Sequence, residues 1–242
     1  MLCMLYNMPI MNKLICILCA MIGEAQPILD KVEVRFDEKH GLATLYACTY
    51  KGHDFFVAQC GVGKVFSASG LSAIITAHPE IDAYINVGMG GSLDPNKANL
   101  LDAVIGKGFV QHDYDTSAFG DPIGFIWGID IIEIPADKEL VNLVSNASKK
   151  TGLSVYEGII ASGDTFVADE EKKQGFVKEF GAISCDMEAA AYAAVAYVHK
   201  KPFTALRIVS DAVDHQNEYL KYKEKAAELG SEVALNAIAF DI

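Results

Sequence analysis

The chain is poor in basic residues, and above all in arginine. Lys and Arg together number 20, against 32 Asp and Glu, so the formal net charge is −12. Arg35 and Arg207 are the only arginines among the 242 residues. Nucleic acids and anionic membranes are bound by clustered Lys and Arg. We therefore expect neither a nucleic-acid partner nor a membrane partner.

Long apolar runs are also missing, since no stretch reaches the roughly 18 residues that a membrane-spanning helix needs. Hydrophobic residues nevertheless make up 51% of the chain, which is enough for a large core and argues against disorder. No internal repeat, low-complexity tract or Pro/Ser-rich linker divides the sequence. We expect a single domain.

The six cysteines do not form a convincing metal or redox motif. Cys16 and Cys19 have the C-x-x-C spacing found in zinc sites and redox pairs. In a strand, however, residues three apart point to opposite faces, so the two thiols cannot hold one ion. Most of the others lie in apolar segments, where cysteine behaves as a small hydrophobic residue. This usage suits a reducing compartment.

Apolar segments rich in Val and Ile alternate with segments whose apolar residues recur at helical spacing. We predict strands over residues 14–20, 42–50, 55–60, 83–88, 103–110, 155–162, 182–185 and 203–210. Helices are predicted over residues 64–78, 136–150, 187–199 and 218–238. Nearly continuous apolar strands are typical of a parallel or mixed sheet that helices cover on both faces. The pattern therefore predicts an α/β fold.

Acidic residues follow three of the predicted strands. Glu24, Glu188 and Asp211 each come within four residues of the end of a different predicted strand, and glycines follow other strands at 61–63 and 88–91. Ligands of α/β sheets bind beyond the carboxyl ends of the strands. Two carboxyl groups can act as general acid and general base when their surroundings separate their pKa values. We expect the three acids to share one site, although each alone could be a helix cap or a first-turn charge.

The segment Gly61–Lys64, with the sequence GVGK, has two interpretations. Its backbone N–H groups could bind a phosphate at a strand-to-helix junction, or the glycines could serve a tight turn and a close backbone approach. The segment is too short for a P-loop, and Phe66 stands where the dinucleotide-binding fingerprint requires glycine.

Six segments resemble the signature segments of the 5′-methylthioadenosine/S-adenosylhomocysteine nucleosidases, within the nucleoside phosphorylase superfamily. They are CGVGKVFSASGLSAII, INVGMGGSLDP, QHDYDTSAFGD, ASGDTFVAD, ISCDMEAAAYAAVAY and ALRIVSDAVDH. The resemblance spans roughly residues 13–240, and the joint occurrence of S-G-D-x-F, D-M-E-A-A and S-D-x-x-D is specific. It implies a single-domain three-layer α/β/α fold with a central mixed, mostly parallel sheet. It also implies cofactor-independent hydrolysis of the N-glycosidic bond of a purine nucleoside, with methylthioadenosine or S-adenosylhomocysteine as the leading substrate.

The resemblance implies catalytic roles for four residues. Asp211 would donate a proton to N7 of the purine, and Ser210 would help to orient the base. Glu24 would hold and activate the attacking water, with Arg207 nearby as an electrostatic partner. Breaking the bond builds positive charge on the sugar, so a carboxylate beside the ribose and a protonated acid beside the base suit the reaction.

The resemblance also implies how the nucleoside is held. Met187 and Glu188 would hold the ribose, Phe166 would stack on the base, and the backbone of Val167 would read the edge of adenine. Phe119 would reach into the neighbouring subunit and wall the pocket for the 5′-substituent. A homodimer is therefore expected.

Two segments depart from the family pattern. Met89, Gly90 and Gly91 would line the substrate pocket. The residue at the position of Met89 is usually small and polar in the family, whereas methionine is bulky. Met89 could alternatively be an ordinary core residue. Residues 120–137, which would help to line the 5′-substituent pocket, also diverge. The substrate is therefore less determined than the reaction, and 5′-deoxyadenosine, an ordinary purine nucleoside and futalosine stay open.

The scarcity of arginine also bears on the choice between hydrolysis and phosphorolysis. Phosphorylases of this superfamily hold phosphate with several arginines, because a doubly charged anion needs fixed, fork-shaped donors. Two arginines cannot build such a clamp, and Glu24 would repel phosphate where it suits water. We expect hydrolysis, with a phosphate-dependent phosphorylase as the alternative.

No metal site is expected. His112 with Asp113, and Asp214 with His215, are the best candidate pairs. Neither pair has a further ligand at a recognisable spacing.

Residues 13–27, KLICILCAMIGEAQP, permit two interpretations. They resemble a secretory signal with its cleavage site, and they equally fit a buried first strand that leads to Glu24. Because cleavage near Gln26 would remove Glu24, we expect the strand and a cytoplasmic enzyme. A dispensable extension over residues 1–11 would then precede a domain over residues 12–242. The alternative is a secreted, non-catalytic storage or binding protein of the same fold.

Overall fold

The computed structural model describes residues 13–212 and 215–239. The predicted extension over residues 1–11, as well as Cys3 and Asp214, lies outside this part of the chain. Among the helices of the described residues, none combines the length and the apolar character of a membrane span.

Strands and helices alternate along most of the described chain. The strands are β1 (Ile15–Cys19), β2 (Glu33–His40), β3 (Ala43–Tyr50), β4 (His53–Gln59), β5 (Ala83–Ser92), β6 (Ala103–Gln111), β7 (Ile134–Pro135), β8 (Val155–Ser162), β9 (Ala182–Asp186) and β10 (Phe203–Asp211). The α-helices are α1 (Ile22–Leu29), α2 (Lys64–Ala77), α3 (Lys138–Lys150), α4 (Glu170–Phe180), α5 (Ala189–Val198) and α6 (His215–Ile238). A 3₁₀ turn covers Ser117–Phe119.

The strands form one mixed sheet. Its path runs β10-β6-β8-β9-β5-β1-β4-β3-β2, with β7 attached to β6. Because β5 also pairs with β10, strands β5, β10, β6, β8 and β9 close into a ring. At the end of β5, Gly91 is paired with Asp211 of β10 and with Cys185 of β9. The ring therefore brings three strand ends to one place.

Helices cover both faces of the sheet, and β1 shows how the sequence achieves this. Cys16 and Leu18 face the core shared with α2 and α5, whereas Ile17 and Cys19 face the core shared with α1, α3 and α6. All residues of β1 are buried, so the strand alternates between two apolar cores and has no polar face. This three-layer arrangement around a mixed sheet confirms the predicted fold class. The thiols of Cys16 and Cys19 lie on opposite faces, as their spacing predicts.

Residues 13–27 form the buried first strand and the turn to Glu24, which was the second of the two interpretations of this segment. The apolar run forms β1, which lies between β4 and β5 and pairs with both in parallel. The following residues enter α1, and Glu24 in its first turn is buried. The candidate cleavage site therefore coincides with an integral part of the fold.

Several elements are absent from the predicted strands and helices, and two of them, β2 and α4, lack a strong apolar pattern. Strand β2 has the sequence EVRFDEKH, most of its residues are exposed, and it pairs only with β3. Helix α4 buries just one residue fully, the lysine Lys173. Its ends do carry signals, since the Asp169 side chain accepts from the backbone N–H of Lys172 and Gly181 adopts the left-handed conformation.

Candidate active site

A cavity lies where β1, β5, β9 and β10 end. Ten of the predicted site residues line it: Glu24, Met89, Gly90, Gly91, Phe166, Val167, Met187, Glu188, Ser210 and Asp211. The three acids of the sequence analysis thus share one cleft, although Glu24, Glu188 and Asp211 are far apart in the chain. The two predicted residues that do not line it in the described chain are Arg207 and Phe119.

Glu24 is held by backbone donors from two strand ends. Its Oε2 accepts from the N–H groups of Ala20 (2.9 Å) and Met21 (3.1 Å), and its Oε1 accepts from Met89 N–H (3.1 Å). Burial raises the pKa of Glu24, and the positive charge of Arg207 together with these donors opposes the rise. The carboxylate is therefore fixed in direction, with its acidity set by two opposing effects.

The glycine run of β5 provides the room for these acids. A Cβ atom on Gly88 would lie 2.6 Å from Oε1 of Glu24, and one on Gly91 would lie 2.9 Å from Oδ2 of Asp211. Both distances are shorter than a carbon–oxygen contact allows. Glycine at these positions thus lets carboxylates from two other elements approach the β5 backbone.

Arg207 lies behind the cavity and supplies positive charge to it. Only 1% of its surface is exposed, and its guanidinium forms an ion pair with Asp186 at 2.5 Å. It also donates to the side chain of Asn86 and, at 3.0 Å, to the carbonyl of Leu206. The ion-pair partner of Arg207 is therefore Asp186, while its effect on Glu24 is electrostatic.

Asp186 connects this buried charge to the start of α5. Its Oδ1 accepts from the hydroxyl of Ser162, and its carboxylate also lies 3.3 Å from the backbone N–H groups of Glu188 and Ala189. Asp186 thereby fixes the turn from which Glu188 projects.

Glu188 carries the most unusual acidity of the site. Its Oε1 accepts from the N–H of Gly63 at 3.0 Å, and 7% of its surface is exposed. Burial, with help from the negative charge of Asp186, raises its pKa to about 7, against the effect of Arg207. The sequence analysis expected an ionised Glu188. The raised pKa therefore makes this carboxyl harder to ionise than an exposed glutamate.

Asp211 lies where β10 is irregular. The pairing of β10 with β5 shifts register between Val209 and Asp211, as is common beside active sites. Burial raises the pKa of Asp211, although the Ser210 hydroxyl, 2.9 Å from Oδ1, opposes the rise. A buried carboxyl with a raised pKa is suited to donating a proton.

Lys173 is a charged neighbour of Asp211 that the sequence analysis missed. This lysine of α4 is 1% exposed, and its Nζ lies 3.0 Å from Nδ1 of His215 and 3.4 Å from the carbonyl of Ala212. Its charge lowers the pKa of Asp211 and opposes the effect of burial. The bonds of Lys173 tie α4 to the residues that follow Asp211.

Aromatic and apolar side chains form the remaining wall of the cavity. Phe166 is 47% exposed, and its ring meets the ring of Tyr219 edge-on, with the centroids 5.8 Å apart. Tyr219 comes from α6 and was not predicted. Val167 is buried beside them and Met89 is partly buried. The cavity therefore combines aromatic and apolar side chains with the buried acids, a lining that suits a flat ring carrying polar groups.

The sequence analysis left two interpretations for the segment Gly61–Lys64, a phosphate-binding loop or a tight turn. The structure shows a tight turn. Gly61 and Gly63 have φ values of +104° and +89°. The N–H of Gly63 is bound to Glu188, the N–H of Lys64 to Asp164 at 2.8 Å, and Nζ of Lys64 to Asp113 at 2.6 Å. Carboxylates therefore occupy the donors that a phosphate would use.

The candidate metal pairs of the sequence analysis have other contacts. The ring of His112 stacks on Phe176 with centroids 4.2 Å apart, and burial lowers the pKa of its imidazole. Asp113 is paired with Lys64. His215 contacts Lys173, and its predicted partner Asp214 lies outside the described residues.

Sequence reasoning missed several groups that line the cavity or support its acids. Asn86, Asp186, Lys173 and Tyr219 belong to no acid–base or metal pattern. Asp186 had a signal, because a second carboxylate two residues before Glu188 follows the same strand.

An α/β fold with buried carboxyls at converging strand ends defines an enzyme with acid–base chemistry, and comparisons with known proteins specify its kind. A family model described as the phosphorylase superfamily matches residues 14–239. An aminodeoxyfutalosine nucleosidase of Campylobacter jejuni is 34% identical over 85% of this chain and 88% of its own length. The chain therefore belongs to the phosphorylase superfamily, and it is an enzyme of the nucleosidase branch.

Solved structures agree with this assignment. A 5′-methylthioadenosine/S-adenosylhomocysteine nucleosidase from Helicobacter pylori, solved with butyl-thio-DADMe-Immucillin-A, is similar with a TM-score of 0.88 and 30% identity, over 94% of this chain and 98% of that one. A futalosine hydrolase of Helicobacter pylori has a TM-score of 0.88 and 31% identity, over 95% and 98% of the two chains. The resemblance of the sequence motifs is confirmed.

Proposed function

We propose that this enzyme hydrolyses the N-glycosidic bond of a 5′-substituted purine nucleoside. The observation that carries the proposal is the convergence of Glu24, Glu188 and Asp211 on one cavity, with the pKa of each carboxyl raised by burial. The nucleosidase relatives support the same reaction.

In the proposed mechanism, Asp211 gives a proton to N7 of the purine, so the base leaves as a neutral molecule. Glu24 accepts a proton from the attacking water, and its fixed hydrogen bonds hold it in place for this step. Glu188 accepts hydrogen bonds from the ribose hydroxyls and stabilises the positive charge that develops on the sugar. Phe166 and Val167 bind the base, Met187 contacts the ribose, and Ser210 orients Asp211.

Hydrolysis is favoured over phosphorolysis by the fate of the two arginines. Arg207 is buried in its pair with Asp186, and Arg35 of β2 pairs with Asp54 of β4 at 3.1 Å. Neither side chain reaches the cavity. The turn donors at Gly63 and Lys64 are also occupied, so phosphate has no binding group comparable to an arginine fork.

The cavity supports a substrate with an extended 5′-group. It continues past Met89 and Tyr219 into an open groove that reaches Lys223 and Glu224. We propose methylthioadenosine and S-adenosylhomocysteine as substrates, and the relative from Campylobacter jejuni makes aminodeoxyfutalosine a second candidate.

Base release from these three nucleosides and from adenosine, each with and without phosphate, tests the proposal. We expect free base and free sugar without phosphate, and a preference for the 5′-substituted compounds over adenosine. A strict phosphate requirement would identify a phosphorylase, and no turnover of any nucleoside would favour a binding protein.

Asp211→Asn should reduce the rate by about 10²- to 10⁴-fold, because it removes the acid. Asp54→Asn, on β4 and outside the residues that line the cavity, is the matched control.

We further propose a homodimer in which Phe119 of one subunit closes the 5′-pocket of the other. Phe119 is 81% exposed on its 3₁₀ turn, and the apolar side chains of Val65 and Trp127 are also exposed. Mixing inactive Asp211→Asn with Phe119→Ala tests this arrangement. A mixed dimer regains one complete site, so activity above the sum of the parents is expected; strictly additive activity would contradict the shared site.

We place the working enzyme in the cytoplasm. Cleavage near Gln26 would remove β1 together with Glu24, and the five described cysteines are free and buried. The intact mass of the enzyme from its native cells tests this placement, because a mature chain that begins near Gln26 would contradict it.

A further inference from the structure

A second cluster of ionisable side chains lies away from the cavity. Glu38 and His40 stand two residues apart on β2, so they project from the same face of the strand. They meet His78, which caps the C-terminal end of α2. Because α2 is 14 residues long, His78 lies about 20 Å along the helix from Gly63, which contacts Glu188. The proposed reaction uses none of these three side chains.

The three side chains converge on a common point. His40 Nε2 lies 3.1 Å from Oε1 of Glu38, and His78 Nε2 contacts the same oxygen. One ligand atom from each residue can be chosen so that all three lie within 4.8 Å of one another. The side chains are partly exposed, 16% for each histidine and 36% for Glu38, so an ion can reach them from solvent.

One nitrogen of the cluster lacks a satisfactory partner. His40 Nε2 is shielded from solvent, and despite its closeness to Glu38 it makes no hydrogen bond of normal geometry. A buried polar atom without a partner is costly, and a bound cation would satisfy it.

The surroundings of His78 are those of a metal ligand. Its Nδ1 lies 2.8 Å from Oε1 of Glu80 and can donate to that carboxylate, which leaves the lone pair of Nε2 available to an ion between Glu38 and His40. Carboxylates that orient metal-bound histidines in this way are common. The rings of Phe56 and His40 pack against His78, with centroids 5.6 and 5.5 Å away, and restrict its rotation.

We propose that Glu38, His40 and His78 bind one divalent transition-metal ion of the zinc class, with Glu80 orienting His78. Two imidazoles and a carboxylate suit such an ion, and three protein ligands leave a fourth position for water. The ion would link β2, which pairs only with β3, to the end of α2. The expected role is to fasten an exposed edge strand to the body of the protein.

Isothermal titration calorimetry tests the proposal. Zn²⁺ is titrated into untagged full-length protein that has been treated with a chelator. A Cys3→Ser background removes the one thiol outside the described residues, since the five described thiols are buried. We expect one saturable site per chain and slower amide exchange in β2 when zinc is bound. His40→Gln and His78→Gln should each abolish the saturable event, and Glu80→Gln should weaken it by about 10- to 100-fold.

His199→Gln is the matched control, because His199 is an exposed histidine at the end of α5, outside the cluster. Unchanged circular dichroism and base release show that the variants are folded. If the wild type shows no saturable binding, the cluster is only a histidine–glutamate ion-pair network and the proposal is wrong. It is equally wrong if His40→Gln and His78→Gln bind zinc as the wild type does. Base release tests the nucleosidase function separately.

Discussion

Each of the two arginines of this chain forms an ion pair with an aspartate, but one pair is exposed to solvent and the other is buried. Arg35 pairs with Asp54 at the edge of the sheet, and their side chains are 41% and 53% exposed. Arg207 pairs with Asp186 in the interior, where each side chain is 1% exposed. Water screens the first pair, whereas the second is surrounded by two further acids, Glu24 and Glu188. The same type of ion pair is therefore exposed to solvent in one region and buried among the acids of the candidate active site in the other.

Arg207→Met should produce the largest effect of this comparison. Removing the guanidinium leaves Asp186 buried without a counter-charge, and breaking one partner of a buried pair typically costs about 3–5 kcal/mol. Urea unfolding measures the loss, and base release should fall with it. Stability close to that of the wild type would show that the buried acids are compensated by protonation alone.

Glu188→Gln should change how stability depends on pH. The folded-state pKa of Glu188 is raised to about 7, above its unfolded value. The contribution of protonated Glu188 to the free energy of unfolding is therefore complete at low pH and is lost as the pH rises through 7. The variant should gain stability relative to the wild type between pH 5 and pH 8, by up to about 3 kcal/mol. Parallel curves for the two proteins would contradict the raised pKa.

Ser162→Ala tests the support of Asp186. The Ser162 hydroxyl donates to Asp186 and accepts from the N–H of Ala190. Hydrogen bonds to charged groups are worth about 1.5–3 kcal/mol, so a destabilisation of that size is expected in urea. Ser69→Ala, at an exposed position of α2, is a suitable control. Equal stability of the two variants would mean that the Ser162 hydroxyl contributes nothing to holding Asp186.

Arg35→Met should have the smallest effect. Its pair with Asp54 is exposed, and such pairs contribute little because water and salt screen them. We expect a melting temperature indistinguishable from that of the wild type, at low and at high salt. A clear loss of stability would show that the edge strand depends on this pair.

The fold was predictable wherever burial left a pattern in the sequence. Strand β1 alternates between two apolar cores, and α3 has apolar residues at helical spacing, with Asp137 as its N-cap. Strand β2 and helix α4 escaped prediction because they bury little apolar surface of their own. Strand β5 was predicted to end at residue 88, since glycines usually terminate strands, but here they continue it to Ser92.

The acids of the candidate site were predictable and their interactions were not. Glu24, Glu188 and Asp211 each come near the end of a strand, and Glu188 and Asp211 also lie within specific motifs, so these positions are visible in the sequence. The pairing of Arg207 with Asp186, the contact of Gly63 with Glu188 and the burial of Lys173 depend on which strands become neighbours. The zinc-class cluster has the same origin, because His78 is distant in sequence from Glu38 and His40.

The sequence by itself determined the layered α/β fold, the residues available for acid–base chemistry and the scarcity of arginine that disfavours a phosphate clamp. Apolar periodicity and residue type are local properties, so they can be read along the chain. The tertiary structure alone decided which carboxyls share a low-dielectric cavity, how far burial raises their pKa values, and which groups compensate their charge. These properties depend on distance and solvent exclusion, which arise only when the ring of β5, β10, β6, β8 and β9 closes.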